Sequence, residues 1–228
     1  MEVSILLVGF MIGLRHALEA DHVAAVASIA TQKKGRSEAM RHGAVWGLGH
    51  TITLFAFGSV ALLIDTLIPN QMAAILECAV GVMLLYLGLD VLWRMSRKGV
   101  HFHVHEHHGK SHLHAHEHHH GDAASHSHRH PKPFPIRTLM VGIMHGMAGS
   151  AALVILTINA AQNFWSGIVY MLLFGIGSIV GMAVLSMAIS VPFSLPGKRV
   201  EKLVSYLQLG IGLGTSGLGG VTIYNFFY

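Results

Sequence analysis

The chain has a single cysteine, Cys78, which excludes both an intramolecular disulfide and a CxxC pair. It is equally short of charge. Only 11% of its 228 residues are Asp, Glu, Lys or Arg, where a soluble domain carries about 25%. With 52% of residues hydrophobic, much of the chain has no water-facing side, which excludes an ordinary soluble core. The N-terminus has no Lys or Arg to make a signal-peptide n-region, so it is expected to be retained. No ATP-binding motif is present, so any uphill movement would draw on an ion gradient or a separate partner. The pI near 9.4 does not point to nucleic acid, because the basic residues are scattered over short loops.

What is there is a series of apolar runs of roughly 20 residues or more, the length of a bilayer-crossing helix. They lie at about Val3–Ala30, Gly43–Ile64, Met72–Trp93, Ile136–Ala160, Trp165–Val191 and Val200–Phe227. The first is longer than a straight crossing needs and is expected to be tilted or broken. Six spans put fourteen of the fifteen Lys and Arg on one side, Arg15 inside the first span being the exception. By the positive-inside rule that side is the cytoplasm, with both termini facing out of a cell (inner or plasma) membrane. The expected architecture is an all-α polytopic membrane protein. Residues 1–98 form a first half with spans 1–3, 99–135 a cytoplasmic loop, and 136–228 a second half with spans 4–6.

The halves resemble each other. Gly13-Leu-Arg-His16 matches Gly142-Ile-Met-His145 at an offset of 129, and Trp46-Gly-Leu-Gly49 matches Phe174-Gly-Ile-Gly177 at 128. Gly81 and Gly88 match Gly210 and Gly217, again at 129. Three spans per half is an odd number, so the second half enters from the opposite face. That is a 3+3 inverted repeat, a plan common among secondary transporters, with the site near the midplane.

Between Arg15 and His22 the first span packs one cation, two carboxylates and two imidazoles. Ionisable groups inside an apolar segment are costly and mark an ion or substrate pathway, and His with carboxylate suits a divalent transition metal. His16, Glu19, Asp21 and His22 are therefore candidate ligands. On an unbroken helix His16 and His22 would stand about 9 Å apart along the axis, too far to share an ion held at about 2.1 Å by each. Either the helix breaks here, or other spans supply ligands, His50 and His145 being the candidates. Arg15 and Glu19 stand at i, i+4 and are expected to pair, as are Asp90 and Arg94.

The loop holds fourteen histidines between His101 and His130, many alternating: His101, His103, His105; His112, His114, His116; His126, His128, His130. Such tracts read as disordered metal-binding segments, because neutral imidazole is the commonest metal ligand. An HExxH match at His116–His120 follows from the abundance of histidine alone and does not indicate a protease.

His16-x4-Asp21-His22, set in Arg-His-Ala-x-x-Ala-Asp-His, resembles the signature of the nickel/cobalt (NiCoT-type) permeases. Leu48-Gly49-His50-Thr51 is similar to that family's Leu-Gly-His-Ser/Thr element. The resemblance implies a Ni²⁺ or Co²⁺ permease in which His16, Asp21 and His22 bind or pass the ion. The chain departs from the usual members in having six spans rather than eight, Glu at position 19 rather than Asp, and Gly175-Ile-Gly-Ser178 where a carboxylate motif is expected. The expected function is thus a divalent-metal permease, not an enzyme. The ion is the substrate, there is no prosthetic group, and import and efflux are both compatible with the residues. The alternative is a membrane-anchored nickel-binding accessory protein for urease or hydrogenase. The expected partners are the metal ion, the bilayer and a cytoplasmic metal chaperone or metalloenzyme accessory protein, with no nucleic acid. An intramembrane metalloprotease would need a helical HExxH, and a thiol-electron carrier a cysteine in spans 1 and 4.

Overall fold

The computed structural model describes residues 3–33, 35–64, 69–97, 103–107, 110–114, 134–147, 164–195 and 198–228. The described helices are α1 (Val3–His16), α2 (Ala20–Ala30), α3 (Arg36–Ile64), α4 (Asn70–Arg97), α5 (136–147), α6 (Phe164–Ser190) and α7 (Lys198–Phe227). Pro69, Pro135 and Pro192 sit at helix edges, where a missing N–H costs least. Among the described residues three helices are long and apolar enough to cross a bilayer: Arg36–Val60, Gln71–Arg97 and Phe164–Ser190. The first apolar run falls short in each piece because it is broken into α1 and α2. The apolar residues that follow α5, 148–160, lie outside the described residues. α7 has 30 residues but dilutes its apolar character with six glycines.

The surface carries large apolar side chains: Leu63 is 69% exposed, Tyr86 69%, Trp165 74% and Tyr206 72%. Inside, His22, His50, His145, Ser178 and Ser186 are buried. An apolar surface around an interior that buries polar side chains among apolar ones suits a chain whose solvent is lipid.

Glycines set the helix pairs. A methyl group on Gly13 would strike the carbonyl of Phe174, and one on Gly177 the carbonyl of Phe10, so α1 lies directly on α6, both running the same way. A methyl on Gly142 would strike the carbonyl of Trp46, and one on Gly49 that of Leu139, so α5 lies on α3 in the same fashion. α3 and α6 run antiparallel, with Gly47 on Ile179 and Thr51 donating to the Gly175 carbonyl at 3.3 Å. α4 and α7 are antiparallel too, Gly81 against Gly219 and Gly88 against Ser216. Gly210, Gly214 and Gly217, by contrast, meet nothing within 4 Å, so the repeated glycines of α7 are not its contact face. Interhelical hydrogen bonds, useful where water is absent, tie His42 to Thr138 at 2.7 Å, Ser28 to Thr215 at 3.2 Å and Ser186 to the Ala39 carbonyl at 2.7 Å. Asp90 and Arg94 form the expected i, i+4 ion pair.

Two expectations need correction. Part of the histidine loop is ordered backbone, not a structureless tract: β1 (His103–His107) pairs antiparallel with β2 (Lys110–His114), His103 opposite His114 and His105 opposite His112. The alternating pattern that spaces the histidines is also a strand pattern, and Gly109 falls between the two runs. His101, His116, His126, His128 and His130 lie outside the described residues. The second correction concerns Arg15, which is exposed while Glu19 takes His16 as its partner at 3.0 Å. The i, i+4 geometry behind the Arg15–Glu19 pair requires an unbroken helix, and the helix is broken between the two.

Candidate metal centre

The break in the first run makes the site. The Ala17 N–H still reaches the Gly13 carbonyl, at a long 3.4 Å, after which Leu18 and Glu19 tighten onto Arg15 and His16 at 2.9 and 3.1 Å. Glu19 is extended (φ −64°, ψ 148°), and α2 restarts with Val23 bonding the Glu19 carbonyl at 2.9 Å. Ala17-Leu18-Glu19 contains no Gly or Pro, so local propensity does not break the helix. What the break gains is the folding of His22 back toward His16, their ring centroids 4.2 Å apart.

Four histidines from four helices then converge. His16 ends α1, His22 sits in the first turn of α2, His50 is mid-way along α3, and His145 comes from α5. His50 Nε2 lies 3.2 Å from His16 Nε2 and 3.4 Å from His22 Nε2. Asp21 uses both oxygens. Its Oδ1 accepts from the His22 backbone N–H at 2.9 Å and from His22 Nδ1 at 2.8 Å, and its Oδ2 accepts from His145 Nε2 at 2.9 Å. Two triads have donor atoms all within 4.8 Å of one another, His16/His22/His50 and Asp21/His22/His145. Either can hold a metal ion. Of the residues singled out in sequence, Glu19 belongs to neither triad; its carboxylate accepts from His16 Nδ1 and orients that ring.

Trp46 was missed as a site residue. It is fully buried, with its ring centroid 5.5 Å from His22, 5.9 Å from His50 and 5.1 Å from His145. Phe174, its partner in the internal match, lies 5.2 Å from His16. The signal was available: Trp46 precedes His50 by four residues and so shares its helix face. The Nδ1 atoms of His50 and His145 and the Nε1 of Trp46 are buried without a hydrogen-bond partner. Such orphaned polar atoms cost stability, and three of them stand around this cluster.

Four buried imidazoles and a half-buried carboxylate inside a bundle of apolar helices are a donor set that suits a transition-metal cation. Residues 3–197 match the NicO family, "High-affinity nickel-transport protein", and the chain belongs to that family. The family is one of transporters, not enzymes, and the resemblance drawn from the His16–His22 motif is borne out. The chain is 36% identical over 206 residues to "Urease accessory protein UreH" of Bacillus sp. (strain TB-90), covering 90% of this chain and 85% of that protein. No solved structure matches the chain.

Proposed function

We propose that the protein is a Ni²⁺ permease, with Co²⁺ its nearest competitor, that passes the ion through the His16/Asp21/His22/His50/His145 cage. The observation that carries this is the convergence of four of the five histidines outside the loop, from four helices, on one buried point. Buried imidazoles stacked against one another gain nothing as a core, whereas nitrogen-rich sites suit Ni²⁺ and Co²⁺.

The scaffold reading is six spans in a 3+3 inverted repeat, residues 1–98 and 136–228 flanking the loop 99–135. The paired contacts support it. Shifted by 129 or 128, Gly13 on Phe174 becomes Gly142 on Trp46, and Gly177 on Phe10 corresponds to Gly49 on Leu139. An antiparallel fit of Gly47 on Ile179 likewise corresponds to Gly175 on Thr51. A cavity of about 740 Å³ opens at the basic end, lined by Gln32, Arg41, His42, Arg94, Arg137 and Thr138 among others, and serves as the inner mouth. The basic loops are cytoplasmic and both termini extracytoplasmic. In a Cys78→Ala background a Pro69→Cys variant should therefore label only from outside, and labelling from the cytoplasmic side alone would overturn the topology.

The deciding experiment is flux of radiolabelled nickel in cells or reconstituted vesicles, wild type against His22→Ala. Flux in the wild type and its loss in the variant support the permease. The relative's name, a urease accessory protein, favours a second reading in which the chain holds nickel for delivery to a metalloenzyme or chaperone. Under that reading metal binds but no flux is seen, and the urease activity of the host falls when the gene is removed.

A further inference from the structure

We infer that the cage is two overlapping metal positions joined by His22, occupied one at a time. This rests on the permease reading and concerns how the ion moves within it.

The first position is made of nitrogen only: the Nε2 atoms of His16, His22 and His50, with the measured separations 3.2 and 3.4 Å. Donors held at about 2.1 Å around a tetrahedral ion lie about 3.4 Å from one another, so the three rings stand close to the spacing an ion would impose. The second position is mixed: the Asp21 carboxylate, His22 Nδ1 and His145 Nε2, separated by 2.8 and 2.9 Å. His145 reaches the carboxylate through the oxygen that His22 does not use, which places it beside the second position.

His22 belongs to both positions through opposite nitrogens, and it is 1% exposed. A neutral imidazole has one lone pair and one N–H. His22 can therefore coordinate on one side only. With Nε2 on the ion, its Nδ1–H donates to Asp21, the carboxylate–histidine–metal arrangement that raises ligand basicity. With Nδ1 on the ion, its Nε2–H is left to donate to His50 Nε2. The ring protons of His22 and His145 both change nitrogen in the exchange, His145 moving its proton from the Nε2 that faces Asp21 to Nδ1, and the charge of the cage does not change. His50 and His145 have no partner on Nδ1 that would lock their rings.

The chemistry divides the labour. Three imidazoles favour Ni²⁺, Co²⁺ and Zn²⁺ over Mg²⁺ or Ca²⁺, so selectivity belongs to the first position. The carboxylate position holds the ion less selectively and hands it on. Passage needs sites weak or numerous enough to release, and a shared ligand makes the step short.

The test uses the full-length chain with all fourteen loop histidines from His101 to His130 changed to Asn, so that only the cage binds, and Co²⁺ alone as the probe. Saturation should give one Co²⁺ per chain. His145→Ala should keep Co²⁺ affinity within about threefold and retain the strong visible absorption of a nitrogen-rich, low-coordinate site. His50→Ala removes a ligand and should weaken binding by at least about 10–100-fold, the range that losing an outer-shell partner already reaches, and give the weak absorption of an oxygen-richer site. Both should lose nickel flux. His145→Gln and His50→Gln, checked by size-exclusion chromatography, repeat the comparison if an alanine variant aggregates. Two Co²⁺ ions per chain, or the same spectrum and the same loss in both variants, would overturn the shared-ligand scheme. Absence of nickel flux in the parent protein defeats the permease reading instead, and the spectra then decide the two positions separately.

Discussion

The protein uses histidine in two opposite ways. In the loop, fourteen imidazoles crowd into thirty residues, side by side in sequence. In the cage, four imidazoles come from positions 16, 22, 50 and 145 and meet only because helices bring them together. The loop offers its imidazoles from neighbouring positions of one short segment. The cage removes four rings from solvent, leaves buried nitrogens unpaired and interrupts a helix to do it. Density in sequence is thus a matter of composition, while the buried cluster is announced by isolated polar residues in an apolar setting.

That contrast predicts its sharpest break in the cage. His22→Ala should lower flux more than about 100-fold, beyond the usual loss from a second-sphere change, because both triads contain His22. His16→Asn, which keeps polarity, should fail nearly as badly if ligation is the role. Survival of flux in both, at normal membrane abundance, would remove the cage from the pathway.

The next largest effect should come from the glycines that let the helices carrying the cage approach. Gly13→Ala and Gly142→Ala place a methyl group against the carbonyls of Phe174 and Trp46. Overpacking of this kind costs about 1–3 kcal/mol. Both should lower the temperature at which the detergent-solubilised protein aggregates, read by size-exclusion chromatography after heating. Gly214→Ala, which meets open space, is the control and should not. A uniform response would mean the close approaches do not hold the bundle.

Much of this was legible in sequence, for reasons that also explain what was not. His16, Asp21 and His22 stood out because charge in an apolar run has to be explained. The arithmetic of a 9 Å separation left only a broken helix or ligands from other spans, and the protein uses both. The internal match brought out His145, and its motif His50. The location of the break was not legible, since Ala17-Leu18-Glu19 reads as good helix; tertiary contacts of His16 and His22 outweigh propensity there. The expected Arg15–Glu19 pair failed for the same reason. The hairpin at His103–His114 was hidden by reading composition before pattern.

The loop should yield smaller effects. Replacing His101–His130 with a short Gly/Ser linker should leave selectivity unchanged and lower apparent affinity several-fold, since a tethered chelator acts through local concentration. The effect should be largest at low metal. Free imidazole has a pKa of about 6.5 and binds metal only when neutral. Loop capacity is therefore present above that pH and lost as pH falls through it. Lowering pH to about 6 should depress flux at low metal less in the deletion variant than in the full chain. Equal sensitivity would assign the pH response to the cage. Complete loss of flux in a folded deletion variant would make the loop part of the pathway.

The smallest effects should come from the two charged residues of the motif that stand outside both triads. Arg15 is exposed at the end of α1, so Arg15→Ala should leave folding intact and change flux by less than about twofold, as surface substitutions usually do. Glu19 touches the site only through His16, whose Nδ1 it holds at 3.0 Å with its own side chain 58% exposed. Glu19→Asp keeps the acceptor and should be tolerated. Glu19→Ala frees the His16 ring, whose Nε2 is a ligand atom of the three-nitrogen position alone. It should weaken nickel affinity modestly while leaving the maximal rate nearly unchanged. A fall in maximal rate equal to that of His16→Asn would make Glu19 a ligand, and the cage a site of six donor residues rather than five.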